Sequence, residues 1–123
     1  MHSLSVNVEL LTALANDTGY ENVFVYQLQS QSAPGDVLVA VSSSGGSPNI
    51  VRALTWAREA GLRTIAITGF DGGTARSVAE VSIHVECTNY GIVEDLHQAI
   101  MHALAQYIRQ SRMTADTISK TVF

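Results

Sequence analysis

Cysteine and clustered basic residues are almost absent from this sequence. Cys87 is the only cysteine, which excludes an internal disulfide and a zinc site built from cysteines. The seven lysines and arginines are scattered, and eleven acidic residues give the chain a net charge of -4. Because no basic stripe is present, direct binding of nucleic acid is not expected.

Long apolar runs are also missing. The longest apolar segments contain five or six residues, which is far short of a membrane span. No membrane partner is therefore expected. The start of the sequence lacks the basic region and apolar segment of a secretory signal. We therefore predict a cytoplasmic protein.

The composition is that of a folded domain. Hydrophobic residues make up 46% of the chain and charged residues 15%, as in globular proteins. A chain of 123 residues has room for one domain with a core. We predict a single domain over residues 1–110 and a polar, poorly ordered C-terminal tail over residues 111–123.

Strand and helix patterns alternate along the chain. Alternating apolar residues or short apolar runs predict strands at 3–8, 37–41, 64–68 and 81–87. Helical spacing predicts helices at 9–17, 50–60, 75–80 and 94–110. The segment "VFVYQLQ" fits either type. This order predicts an α/β fold, a three-layer α/β/α sandwich with a parallel sheet, whose ligands bind at the carboxyl ends of the strands.

The segment "VLVAVSSSGGSPNIVRAL", residues 37–54, joins a buried strand to a helix through four serines and two glycines. Glycines let several backbone N–H groups point one way, and a helix N-terminus adds further donors. Serine hydroxyls supply more donors. Together these features predict a phosphate site that uses no lysine.

A simpler explanation of the same loop is a helix cap. Ser47 could be the N-cap residue, with Pro48 at the first helical position. Capping requires one hydroxyl, however, and this loop carries four. We therefore favour the phosphate site.

Five segments together resemble one family. "VSSSGGSPNIVRAL" resembles the S-x-S-G-x-S-x-N phosphate loop of the sugar isomerase (SIS) domain, in particular that of phosphoheptose isomerases. "NDTGYENVF", "PGDVLVAVSSSG", "TIAITGFDGG" and "EDLHQAIMH" resemble further segments of that family, in the same order. The resemblance runs from Ser3 to Ile108 and implies a SIS-type, flavodoxin-like fold and a homo-oligomer.

The resemblance implies a role for each matching residue. It implies that five residues bind a phosphorylated sugar: Ser42, Ser43, Ser44, Ser47 and Asp17. His102 and Glu94 are the candidate catalytic residues: His102 matches a histidine that moves a proton between C1 and C2, and Glu94 takes the place of the family's glutamine near it. The reaction implied is the aldose–ketose isomerisation of sedoheptulose 7-phosphate.

The sequence also departs from the family. It begins where the family's second strand begins, so the fold is expected in an N-terminally shortened version that lacks a G-N-G-G-S-A strand and a glutamate base. The alternative function is therefore a non-catalytic module that binds a phosphosugar or a protein. Some members hold zinc, but only Glu94 and His102 match its ligands, where a catalytic site needs three. No cofactor is required by the sequence, and zinc is possible by resemblance alone.

The last predicted helix has a clear apolar face. At about 100° per residue, five residues fall together and predict the side that meets the core: Leu96, Ala99, Ile100, Ala103 and Tyr107. Glu94 and His102 lie on the opposite side, and His97 lies between the two. A carboxylate beside a histidine suits acid–base chemistry. From the spacing alone a solvated helix face is the better explanation, and the family resemblance is what favours a functional role for His102.

Overall fold

A computed structural model, which describes residues 2–122, contains one sheet of three parallel strands in the order β1-β2-β3. The strands are β1 (Val37–Ser42), β2 (Arg63–Thr68) and β3 (Val81–His84). The helices are α1 (Val8–Thr18), α2 (Val23–Gln31), α3 (Pro48–Glu59), α4 (Gly73–Val78), α5 (Tyr90–Gln110) and α6 (Ala115–Ser119), and a 3₁₀ turn spans Tyr20–Asn22. Within residues 2–122, no helix combines the length and apolar character that crossing a membrane requires.

Helices cover the two faces of the sheet. Ala40 pairs with Ala66 and shares a buried cluster with Leu54 and Ala75, so α3 and α4 lie on one face. The next pair, Val41 and Ile67, points to the other face because side chains alternate along a strand. That face meets α5. The α/β fold class with a parallel sheet is confirmed.

The predicted strand at residues 3–8 is wrong. Its alternation leaves Val6 and Val8 largely exposed, and β1 pairs only with β2. Asn7 instead caps α1, because its side-chain oxygen accepts a hydrogen bond from the Leu10 N–H at 2.9 Å. The ambiguous segment "VFVYQLQ" forms α2, where Val23, Gln27 and Leu28 are buried at helical spacing.

The predicted core face of the last helix is also wrong. The buried residues of α5 are Val93 and His97, whereas Leu96 and Tyr107 are 44% and 72% exposed. The helix carries two adjacent apolar stripes, and the sheet covers the one that contains Val93. The helix also starts four residues earlier than predicted, because Asn89 caps it by accepting a hydrogen bond from the Ile92 N–H at 3.2 Å.

The tail contains more structure than expected. Residues 115–119 form α6, capped by Thr114, although residues 111–123 were expected to be poorly ordered. Phe123, the last residue of that tail, lies outside the described residues. The division into a domain of residues 1–110 and a tail stays a prediction.

The amino end of β2 carries an ion pair on the surface. Arg63 Nε and Glu80 Oε2 lie 2.5 Å apart, and both side chains are solvent-exposed. The hydrogen bond from Arg63 lowers the pKa of the Glu80 carboxyl and raises that of the guanidinium. This pair lies at the end of the sheet opposite to the serine loop.

Candidate functional site

The serine loop joins the carboxyl end of β1 to the first turn of α3. Ser42 Oγ accepts a hydrogen bond from the Gly45 N–H at 3.2 Å, and Ser44 Oγ accepts one from the Gly46 N–H at 3.4 Å. A hydroxyl that accepts in this way still has its own proton to donate. The loop therefore presents O–H groups that are able to donate hydrogen bonds to a phosphate.

Ser47 stands at the N-cap of α3 without capping it. Its backbone carbonyl accepts from the N–H groups of Ile50 and Val51, both at 3.0 Å, but its side chain makes no cap hydrogen bond. A serine whose purpose was capping would use its hydroxyl for a helix N–H. The capping explanation therefore fails for the residue on which it depended.

The loop after β2 and the first turn of α4 hold the serine loop in place. Gly69 N–H donates to Ser43 O at 2.8 Å, and Ala75 N–H donates to Gly45 O at 2.9 Å. At Gly45, where φ is +63°, a Cβ atom would lie 2.0 Å from the Gly72 carbonyl oxygen. Only glycine permits this backbone contact, so the two loops form one unit at the carboxyl end of the sheet.

An open cleft of about 460 Å³ lies beside the serine loop. We call it the serine cleft; its lining residues are Tyr20, Glu21, Phe24, Val41, Ser42, Ser47, Pro48, Asn49 and Ile50. Hydroxyls, an amide and the first turn of α3 form one wall. The 3₁₀ turn and α2 form the other wall. The cleft has the size of a small-molecule site.

A second cavity of about 330 Å³ lies between the loop and α5. We call it the α5 cavity; its lining residues are Val41, Ser43, Glu94, His97, Gln98 and Met101. Ser43 Oγ donates to Glu94 Oε1 at 3.4 Å, a long hydrogen bond that spans the gap between loop and helix. Val41 lines both cavities, so both lie beside the end of β1.

His97 is the most unusual residue of the α5 cavity. Its side chain is 3% exposed, and its Nε2 atom has no hydrogen-bond partner among residues 2–122. Buried polar atoms without a partner are rare in folded proteins.

The structure brings together some of the predicted site residues. Ser42 and Ser47 line the serine cleft, and Ser43 and Glu94 line the α5 cavity. Three others, Asp17, Ser44 and His102, line neither. Asp17 is exposed at the end of α1.

His102 lies further along α5. It is exposed, and its Nε2 lies 3.3 Å from Gln98 Nε2. Eight residues separate it from Glu94, about 12 Å along the helix axis. Within one chain, Glu94 meets the serine loop and His102 does not.

A zinc centre does not fit these residues. Among residues 2–122, no group of three or more His, Cys, Asp or Glu side chains could hold a metal ion. Glu94 is turned toward Ser43, whereas His102 has Gln98 beside it. A chemical role for a metal therefore finds no support in this chain's own residues.

The sequence patterns did not identify two groups of site residues. Tyr20, Glu21 and Phe24 line the serine cleft, although the segment "NDTGYENVF" was matched only as a whole. His97 was placed between two helix faces. Its burial depends on which apolar stripe the sheet covers, and helical spacing alone does not decide that.

The structure is an α/β domain with two cavities beside the carboxyl ends of its strands, where parallel sheets commonly bind ligands. A family model described as the SIS domain matches residues 1–69. The chain belongs to the SIS domain family.

Similar proteins narrow this family further. Phosphoheptose isomerases of Akkermansia muciniphila and Geotalea daltonii are 42% and 40% identical over 108 residues, or 88% of this chain. These matches cover 57% and 56% of those proteins. The chain thus spans a little over half the length of the curated relatives it matches.

Solved structures agree with the fold. Phosphoheptose isomerase GmhA of Neisseria gonorrhoeae matches with a TM-score of 0.84 and 33% identity, over 87% of this chain and 61% of that one. A phosphoheptose isomerase of Francisella tularensis matches with a TM-score of 0.84 and 28% identity, over 87% and 58%.

Proposed function

We propose that this chain binds a phosphorylated sugar, with the phosphate held by Ser42, Ser44 and Ser47 at the N-terminus of α3. The observation that carries the proposal is the Ser47 hydroxyl, which stands at an N-cap and makes no cap hydrogen bond. Ser42 and Ser44 add donors from the same loop. A helix N-terminus favours an anion there.

The proposed reaction is the interconversion of an aldose and a ketose phosphate, with sedoheptulose 7-phosphate as the substrate. It is supported by relatives that are named phosphoheptose isomerases. Ser43 and Glu94 would contact the carbon chain from the α5 cavity, and Asp17 would contact the sugar from the end of α1. His102 would transfer the proton between C1 and C2.

The proposal also includes a second copy of the chain, which would complete the site. His102 is about two helical turns beyond Glu94, so we propose that it serves the site of a neighbouring copy. The apolar stripe of α5 supports association, because Ile92, Leu96 and Tyr107 are 52%, 44% and 72% exposed. Exposed apolar patches of this kind favour contact with another surface.

Replacing the three serines by alanine tests the phosphate site. We expect the affinity for sedoheptulose 7-phosphate to fall about a hundredfold or more, because hydrogen bonds to a charged group are stronger than neutral ones. Calorimetry measures the affinity, and circular dichroism verifies the fold. A control triple uses Ser30, Ser77 and Ser119, which bond to carbonyls of their own helices. Unchanged affinity in the first triple would remove the phosphate assignment.

An activity assay separates the enzyme from a binding module. Conversion of sedoheptulose 7-phosphate by the 123-residue chain would exclude a purely binding role. Tight binding without conversion would favour the module. The cytoplasmic location stays a prediction.

A further inference from the structure

We infer that His97 binds the carbon chain of the sugar, as a residue that touches the substrate beyond the serines, Asp17, Glu94 and His102. The ligand is the phosphorylated sugar of the proposed function, on which this inference rests. The starting observation is the Nε2 atom of His97, which is buried and has no partner among residues 2–122.

An unpartnered nitrogen in this position is costly. A buried polar atom that has lost its water partners without gaining others destabilises the fold. A phenylalanine or leucine would fill the same space without that cost. The imidazole therefore needs a partner that residues 2–122 do not supply.

The α5 cavity is where that partner would lie. His97 and Glu94 are three residues apart on α5, so their side chains project from neighbouring positions on the helix surface. Both line the cavity of about 330 Å³, together with Ser43 from the loop. A hydroxyl bound there has a carboxylate, an imidazole and a serine within one small space.

The chemistry of these three groups matches a polyol. A sugar hydroxyl both donates and accepts, as Ser and Thr hydroxyls do, and Glu94 offers an acceptor. His97 Nε2 accepts or donates according to its tautomer. A bare phosphate, by contrast, would meet the negative charge of Glu94 here. The cavity therefore suits the hydroxyl-bearing end of the ligand, with the phosphate in the adjoining serine cleft.

Nε2 is buried in the absence of a ligand, so contact with the sugar requires the His97 ring to turn toward the cavity that this residue lines. Hydrogen bonds at a catalytic site are often long or poorly aligned before the substrate arrives and tighten in the complex.

The test compares two ligands on four proteins. The ligands are sedoheptulose 7-phosphate and inorganic phosphate, and the proteins are the unsubstituted chain, His97→Phe, His97→Gln and His2→Phe. Calorimetry gives each affinity, and thermal melting reports stability. His2→Phe controls for the loss of one imidazole at an exposed position.

For His97→Phe we expect about tenfold weaker binding of the sugar phosphate, because one hydrogen bond is lost. Binding of inorganic phosphate should be unchanged. Its melting temperature should stay equal or rise, because the unpartnered nitrogen is gone. His97→Gln should recover most of the sugar affinity, since its amide can bond near the Nε2 position. If phenylalanine does not fit, His97→Leu replaces it.

Each other outcome overturns the inference. Unchanged sugar affinity in His97→Phe would mean that a water or nothing satisfies Nε2. Equal weakening of both ligands would mean that His97 only supports the fold. Failure of the proposed function is recognised separately, because the unsubstituted chain would then not bind the sugar phosphate.

Discussion

The two sides of the candidate site are built in different ways. The loop side consists of backbone held by backbone, with Gly45 packed against Gly72 and hydrogen bonds from Gly69 and Ala75. The α5 side consists of side chains, namely Glu94, His97, Gln98 and Met101, on one helix. The loop side therefore depends on backbone conformation as well as on its serine hydroxyls, and the helix side depends on residue identity alone. Substitutions on the two sides should fail for different reasons.

Gly45→Ala should have the largest effect on the loop side. Its Cβ would clash with the Gly72 carbonyl, and φ would stay in the left-handed region. We expect a loss of roughly 3–5 kcal/mol in the free energy of unfolding, from overpacking and backbone strain together. Urea unfolding followed by circular dichroism measures it.

The neighbouring glycine provides the control. A Cβ at Gly46 meets no atom within 4 Å, so Gly46→Ala should change stability little. Equal losses at both positions would mean that the close approach of the two loops contributes nothing to stability.

His102→Gln should come next; His102 lies on α5 beyond the helix side of the site, and in the proposal it serves a neighbouring copy. If His102 transfers the proton, turnover of sedoheptulose 7-phosphate should fall about 10²- to 10⁴-fold, while its binding and the melting temperature change little. Steady-state kinetics measures this. The matched variant is His2→Gln, which should keep full turnover. A loss of affinity with unchanged turnover would contradict a role in proton transfer.

Charges on the exposed apolar stripe of α5 should have a smaller effect, limited to association. We expect the unsubstituted chain to self-associate in light scattering, and Leu96→Glu with Tyr107→Glu to give a monomer of unchanged secondary structure. Tyr26→Glu, on a tyrosine of α2 that is 50% exposed, is the control. A monomeric unsubstituted chain at high concentration would rule out pairing through this stripe.

Glu80→Gln should have the smallest effect, because the Arg63–Glu80 pair is solvent-exposed. The folded-state pKa of Glu80 is lowered, so its stabilisation is complete above the ordinary glutamate pKa. That stabilisation is lost as the pH falls through the lowered value. Melting curves at neutral and acidic pH should therefore differ slightly for the unsubstituted chain and less for the variant. A larger difference in the variant would contradict the lowered pKa, and Glu59→Gln serves as the exposed control.

Much of the fold was readable from local patterns. The apolar runs at 37–41 and 64–68 became β1 and β2, and α3 buries Ala53, Leu54 and Ala57 as its spacing indicates. Local patterns failed where the structure of a segment depends on the other parts of the chain that pair or pack with it. Residues 3–8 alternate like a strand, but no neighbouring strand pairs with them.

The candidate site shows the same limit. The serine loop was found because its residues are contiguous. The contact between Ser43 and Glu94 joins residues 51 positions apart, and the burial of His97 depends on which stripe of α5 meets the sheet. Neither follows from spacing along the helix. The apolar face itself was recognised correctly, but its assignment to the core was wrong.

The hydrogen bonds between the two loops have a consequence for how the site moves. Gly69, just after β2, and Ala75, in α4, donate to carbonyls of the serine loop, so this loop cannot open alone without breaking both bonds. Local opening should be a concerted event that exposes both amides together. A ligand held by the serines should therefore slow amide hydrogen exchange at Gly69 and Ala75, two residues that line neither cavity.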